Sequence, residues 1–287
     1  MSAFNNIKCS AQIAFFGIKS WAENKRMLIL ALVLAVMSAK FCSEINDFAK
    51  SIGSSTNVLA IFPHMYNNRF FRLNIQFCIV LMFSNAPFHR GDSLFCVIRS
   101  GYKKWCVGQL FYIIASSMIY VLFIFLLTSF FSIPTLGFSS TWGKTFATMA
   151  QTNSIKYEIS KGIQIQYTPF AALLNTMTLL FLLTIIIGLL IFLLSNLIGR
   201  GSGVIAATAL ILLGVVPDYT QLPALVVRFS PCSLTQLGKF DNLGYTRYPT
   251  IGYAYAFLGI TSLILLMANI FVFFNRKIRF YAYCMDI

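Results

Sequence analysis

Charge is what this sequence has least of. Only 10% of its 287 residues are Asp, Glu, Lys or Arg, and just 8 residues are acidic. A soluble domain carries roughly 25% charged residues, so this chain cannot coat a globule of its size with them. Metal-binding patterns are missing as well. The seven cysteines, Cys9, Cys42, Cys78, Cys96, Cys106, Cys232 and Cys284, form no C-x-x-C pair with matching histidines, which leaves no zinc or iron–sulfur reading. A phosphate loop is absent too. Gly143-Lys144-Thr145 carries the tail of one, but Phe138 stands where the earlier glycine is needed to turn backbone N–H groups onto phosphates. Any ATP hydrolysis linked to this chain must come from another polypeptide.

What is abundant is apolar surface. Hydrophobic residues make up 58% of the chain and aromatic residues 16%, with 29 Phe, a composition suited to a lipid solvent. A bilayer core about 30 Å thick needs about 20 apolar residues per helix. The clearest runs are 107–133, 169–198 and 252–274; shorter ones are 26–42, 73–88 and 203–217. The expected fold is an all-α integral membrane protein with six transmembrane helices. The run 73–88 carries Asn74, Gln76, Ser84 and Asn85 and is expected inside the bundle rather than against lipid.

The formal charge of +14 would suggest nucleic acid in a soluble protein; in a membrane protein it records topology and contact with anionic headgroups, and no nucleic-acid partner is expected. With both termini inside, Lys8, Lys19, Lys25, Arg26, Arg90, Arg99, Lys103, Lys104, Arg200, Arg276, Lys277 and Arg279 face the cytoplasm. Their density is about twice that of the outer Lys and Arg, as the positive-inside rule requires. Lys25-Arg26, the apolar stretch to Met37 and Ser38-Ala39 imitate a secretory signal. The 26 residues before it nevertheless have helical periodicity of their own, through Phe4, Ile7, Ala11, Ala14, Phe15, Ile18 and Trp21. They are expected to be retained as an amphipathic helix over 1–24 in the inner interface, with Trp21 at headgroup depth. Of the cysteines, only Cys42 and Cys232 would face outward, and scattered free thiols are the preferred reading over a disulfide.

The outer segments 43–72, 134–168 and 218–251 are long, whereas the inner turn 199–203 holds three glycines that permit a tight helical hairpin. The apolar run Leu222 to Val227 is too short to span. It reads equally as part of a helical pair dipping into the outer leaflet or as a loop packed on the bundle. His64 is expected to be an ordinary outer-loop residue. His89 lies on the other side, so the two histidines cannot share a site. No ionisable side chain lies well inside any of the six runs, which argues against proton or sodium antiport, although sodium held by carbonyls and Asn or Ser remains an alternative. Uncharged polar groups could line a pathway: Ser116, Ser117 and Tyr120; Asn175, Thr176, Thr178, Thr184, Ser195 and Asn196; Ser262 and Asn269. Hydrogen bonding among the helices is the preferred reading for most of them. A pathway among so many Phe would suit a hydrophobic or amphipathic cargo.

The stretch 89–106 between the second and third runs is the most distinctive. Asp92 or Ser93 can cap a short helix through Ile98, Gly101 can end it, and Lys103-Lys104-Trp105 starts the next span. A cytosolic helix held between two spans is what a membrane subunit offers a soluble partner. A basic connecting loop is the plainer alternative.

Taken in order, these parts resemble the permease subunits of type-2 (ABC-2) ATP-binding cassette exporters. The similarity covers the N-terminal interfacial helix, six spans, the coupling segment, the tight inner turn and the outer helical loop. Within it, Ile98-Arg99-Ser100-Gly101-Tyr102-Lys103-Lys104-Trp105-Cys106-Val107-Gly108-Gln109-Leu110 is similar to the family's stretch of basic, small, basic and aromatic residues before a Gly-Gln. The resemblance implies export of a peptide, lipid or drug across a bacterial plasma membrane. It implies a second permease copy or a related permease, and cytoplasmic ATPase subunits that bind ATP and Mg while this chain binds no cofactor. Arg90, Gly91, Asp92, Arg99, Ser100, Gly101, Tyr102, Lys103 and Lys104 would then form the ATPase-coupling interface, with Ser116, Tyr120, Asn175, Thr178, Ser262 and Asn269 along the pathway. A peptide-binding immunity or sensory protein that does not transport, and a secondary transporter, are the alternative functions.

Overall fold

The computed structural model describes residues 2–86, 99–152, 159–199, 201–219, 224–242, 244 and 248–275. The chain is predominantly helical. In order, the helices are Ser2–Lys19 (α1), Lys25–Ser51 (α2), Val58–Asn67 (α3), Arg69–Phe83 (α4), Tyr102–Phe131 (α5), Gly143–Thr152 (α6), Lys161–Gln166 (α7), Pro169–Leu197 (α8), Ser202–Tyr219 (α9), Ala224–Phe229 (α10) and Ile251–Asn275 (α11). Two short strands, Thr56–Asn57 (β1) and Leu136–Gly137 (β2), pair in parallel. Four helices, α2, α5, α8 and α11, are long and apolar enough to cross a membrane. In α9 the apolar stretch Ser202–Gly214 is shorter.

Pairwise contacts give the bundle two ends. At one end Ser10 meets Lys104 and Arg26 meets Ser84; at the other, Asn46 meets Phe131 and Asn57 meets Ser139 and Thr141. Helices α2 and α5 run parallel, with Cys42 against Thr128 and Asn46 against Phe131. Carried down both helices, that near-constant offset sets Lys25 and Arg26 level with Phe111 and Tyr112. Helix α5 therefore begins about ten residues, or roughly 15 Å, before α2 does.

The N-terminal helix fills that gap. It runs lengthwise along α5. Ser10 Oγ donates to the Lys104 carbonyl at 3.0 Å, a Cβ on Gly108 would meet Ile13 at 2.9 Å, and Trp21 Nε1–H donates to Tyr112 Oη at 2.9 Å. The packed stripe is Ser10, Ile13, Ala14, Gly17, Ile18 and Trp21, while Ala11, Phe15 and Phe16 stay exposed. Small residues set this rotation: Gly17 and Gly108 let the backbones approach closely, and hydrophobic periodicity alone does not weigh that.

The span expected at 73–88 differs as well. Helix α4 begins at Arg69, ends at Phe83 and is 15 residues long, about 22 Å. It is extended by α3, from which it is broken at Asn68, whose side chain caps α4 by accepting from the Phe70 N–H at 3.1 Å. The segment 43–72, expected as a loop, is instead the end of α2 and the buried helix α3. In 218–251, α10 is one short helix, and the buried stretch Ser230 to Leu237 carries two 3₁₀ turns. Both Cys42 and Cys232 are free, the preferred reading, and both are buried. Thiol labelling of the folded chain should leave both unmodified, whereas the denatured, unreduced chain should take up label at each; a mass change on reduction would contradict this.

Candidate functional site

The most distinctive polar site was not expected. Arg72 ends the segment expected as the first outer loop, one residue before the expected span. It sits in the second turn of α4 and is only 3% exposed. Phe71, Ile75 and Gln76 around it are buried too. The depth scale places it: Phe83 and Ile113 both crowd Gly188, and the Tyr120 hydroxyl donates to the Ile75 carbonyl at 2.7 Å. Eleven residues above Phe83, Arg72 is about 16 Å along the bundle from that level, within the depth of the spanning helices. A buried cation at such depth marks a functional-site candidate.

Tyr66 and Cys232 lie near it, in a network of hydrogen-bonding groups. Tyr66, at the end of α3, shares a 2.8 Å hydrogen bond with Thr235, and Gln76 Nε2–H donates to Tyr66 Oη at 3.4 Å and to the Cys232 carbonyl at 3.3 Å. One turn away, the Asn67 carbonyl accepts from Gln236 and its side-chain oxygen accepts from the Gly238 N–H at 2.9 Å. The Ser233 hydroxyl donates to the Gly214 carbonyl at 3.0 Å. The α3–α4 break is thus clasped by residues 232–238, which are also tied to α9. An arginine does not titrate in the physiological range, so Arg72 stays charged at this depth. The signal in the sequence was the pair Phe70-Phe71 ahead of Arg72, which extends the apolar run past the charge.

His64, expected in a loop, is on α3 and 1% exposed. Its ring stacks on Phe146 at 5.0 Å and leans on Trp142 at 5.2 Å. Neither ring nitrogen has a hydrogen-bond partner among the described residues, and burial pushes its pKa down to about 3. Among the described residues no cluster of His, Cys, Asp or Glu could hold a metal.

Of the coupling residues, Arg90, Gly91 and Asp92 lie outside the described residues. Arg99 and Ser100 are helical, and Gly101 then turns the backbone at φ +85°, a conformation glycine adopts freely. Helix α5 starts at Tyr102 with Lys103 exposed and Lys104 half-buried beside α1. The proposed pathway residues are not brought to one place. Tyr120 joins the Arg72 cluster through Ile75, and Ser116 is buried on α5. Asn175 accepts from the Tyr255 hydroxyl at 2.8 Å, Thr178 is exposed and bonds its own helix at Leu174, and Ser262 bonds its own helix at Gly259. Asn269 donates to Leu189 across the α8–α11 contact at 3.2 Å. Bonding within and between helices accounts for these groups except Ser116, whose buried hydroxyl has no hydrogen-bond partner among the described residues. The chain matches no family model, no curated protein and no solved structure.

Proposed function

We propose that this chain is the membrane-spanning permease subunit of an ABC-2 type exporter, with six spans formed by α2, α4, α5, α8, α9 and α11. Both termini and the α1 end of the bundle lie on the cytoplasmic side of a bacterial plasma membrane. The observation that carries the reading is the start of α5. Gly101 separates the helical residues Arg99 and Ser100 from a span that opens on Lys103 and Lys104 and is braced by α1. That is a stiff, basic platform at one end of the bundle, suited to receiving motion from a soluble ATPase that binds ATP and Mg. Two permeases, identical or related, would form the transport unit for a hydrophobic or amphipathic cargo. Arg72 does not release a proton in the physiological range, which agrees with a reading in which the partner supplies the energy.

The test is purification from the native cell in mild detergent, followed by cargo-stimulated ATP hydrolysis. A phosphate-loop protein should co-purify. The combined substitution Arg99→Glu, Lys103→Glu and Lys104→Glu should weaken its capture by about tenfold or more while leaving the thermal midpoint of the permease unchanged. Recovery of this chain with no such partner would overturn the proposal.

A further inference from the structure

The turn that joins α1 to α2 gathers cations. Lys19, Lys25 and Arg26 flank residues 20–24, and all three are exposed, against the single carboxylate of Glu23. The turn is rigid: the Trp21 N–H bonds to Ile18, the Asn24 N–H to Trp21 and the Met27 N–H to Asn24, while Asn24 caps α2 by accepting from the Arg26 N–H at 3.1 Å. Trp21 is pinned to Tyr112, and the Arg26 guanidinium donates to Ser84 and Asn85. The bonded backbone of the turn therefore keeps the three cationic residues close together at the foot of α2, where the indole is fixed.

Directly above them α2 presents an uncovered apolar ridge. Leu28, Ile29, Leu32 and Val36 are 65, 53, 59 and 58% exposed. At 100° per residue they share one face of the helix, and Lys25 falls on that same face, one turn below Leu28 and Ile29. A cation at the foot of an apolar stripe is complementary to a molecule with an anionic head and a long hydrocarbon tail.

We infer that the α1–α2 corner is a binding site for an anionic phospholipid of the adjoining leaflet. Its phosphate lies among Lys19, Lys25 and Arg26, and an acyl chain lies along Leu28, Leu32 and Val36. Lysines in such a position attract anionic headgroups, and the pinned turn lowers the ordering cost of the contact. The inference is independent of any ATPase.

The test uses the full chain reconstituted in phosphatidylcholine vesicles. These contain about one-fifth of a lipid brominated on its acyl chain, either phosphatidylglycerol or phosphatidylcholine. The reading is Trp21 emission, taken as the difference between the chain and its Trp21→Phe variant. Brominated phosphatidylglycerol should quench about twice as strongly as its neutral counterpart. That ratio should fall to parity in Lys19→Gln/Lys25→Gln, whose substitutions are at exposed positions, and should survive in Lys40→Gln/Lys50→Gln at the other end of α2. Millimolar inorganic phosphate should leave it unchanged. Parity in the unsubstituted chain would overturn the inference. So would a preference that persists in the first double variant or vanishes in the second, because general surface charge would then account for it. Loss of the preference to free phosphate would identify a site for a soluble anion instead.

Discussion

Gly203→Ala should unfold the chain at a markedly lower temperature, and Gly203→Val should prevent accumulation of the folded bundle. A Cβ at this position would run into the Ile191 carbonyl oxygen and stand 2.7 Å from the Ile191 Cα. Both are backbone atoms of α8 that cannot swing aside as a side-chain terminus could. Helices α8 and α9 are joined by a turn of a few residues, with the Ser202 hydroxyl donating to the Leu194 carbonyl at 2.9 Å, so neither helix can slide without opening that hairpin. Overpacking of this kind costs typically 1–3 kcal/mol, and a backbone clash belongs at or above the top of that range. The companion variant is Gly259→Ala, where a Cβ would meet nothing within 4 Å; it should be neutral or stabilising by up to about 1 kcal/mol. Thermal scans of the detergent-solubilised variants decide the matter, and equal midpoints for Gly203→Ala and Gly259→Ala would refute the packing described at α8–α9.

Acidification should destabilise the protein through His64, and His64→Phe should remove most of that sensitivity. In the unfolded chain the imidazole takes up a proton near pH 6.5, whereas in the folded chain burial delays protonation to about pH 3. Between those values the unfolded state binds the extra proton, so stability is complete above pH 6.5 and declines as the pH falls. The slope approaches about 1.4 kcal/mol per pH unit, on the order of 4 kcal/mol by pH 3. Phenylalanine keeps the ring between Trp142 and Phe146 and leaves no buried nitrogen unbonded. The gap between the two proteins should thus widen steadily from pH 7 to pH 4 in favour of the variant. Parallel stability curves would show that His64 is not buried and neutral in the folded state.

These two residues also mark where reading the sequence stops. The long apolar runs behind α2, α5, α8 and α11 were legible because twenty apolar residues in a row have few other uses, and the tight hairpin before α9 was legible from its glycines. Helix α3 was not. Val58 to Tyr66 contains a proline and a histidine and is too short to span, so it read as loop, and only burial on several sides shows why it is so apolar. Arg72 reads as the end of a loop because the apolar run is counted from Leu73, and the network of Tyr66, Gln76 and Thr235 near it is drawn from three separate segments. The polar residues of the spans were easy to find. Their bonds were not, because a Thr or Ser that donates to the carbonyl four residues back looks the same in sequence as one that faces a channel.

The pairing of α1 with α5 sets an order of events during synthesis. Ser10 and Lys104 are 94 residues apart and Trp21 and Tyr112 are 91, so at about 5–20 residues per second the first helix leaves the ribosome some 5–20 seconds before its partner exists. Through that interval Ile13, Ile18 and Trp21 have no protein surface to cover them, and the nearest apolar refuge is the face of the membrane. The amphipathic pattern that reads as an interfacial helix thus describes where α1 waits, and the small residues Ser10, Gly17 and Gly108 describe where it docks.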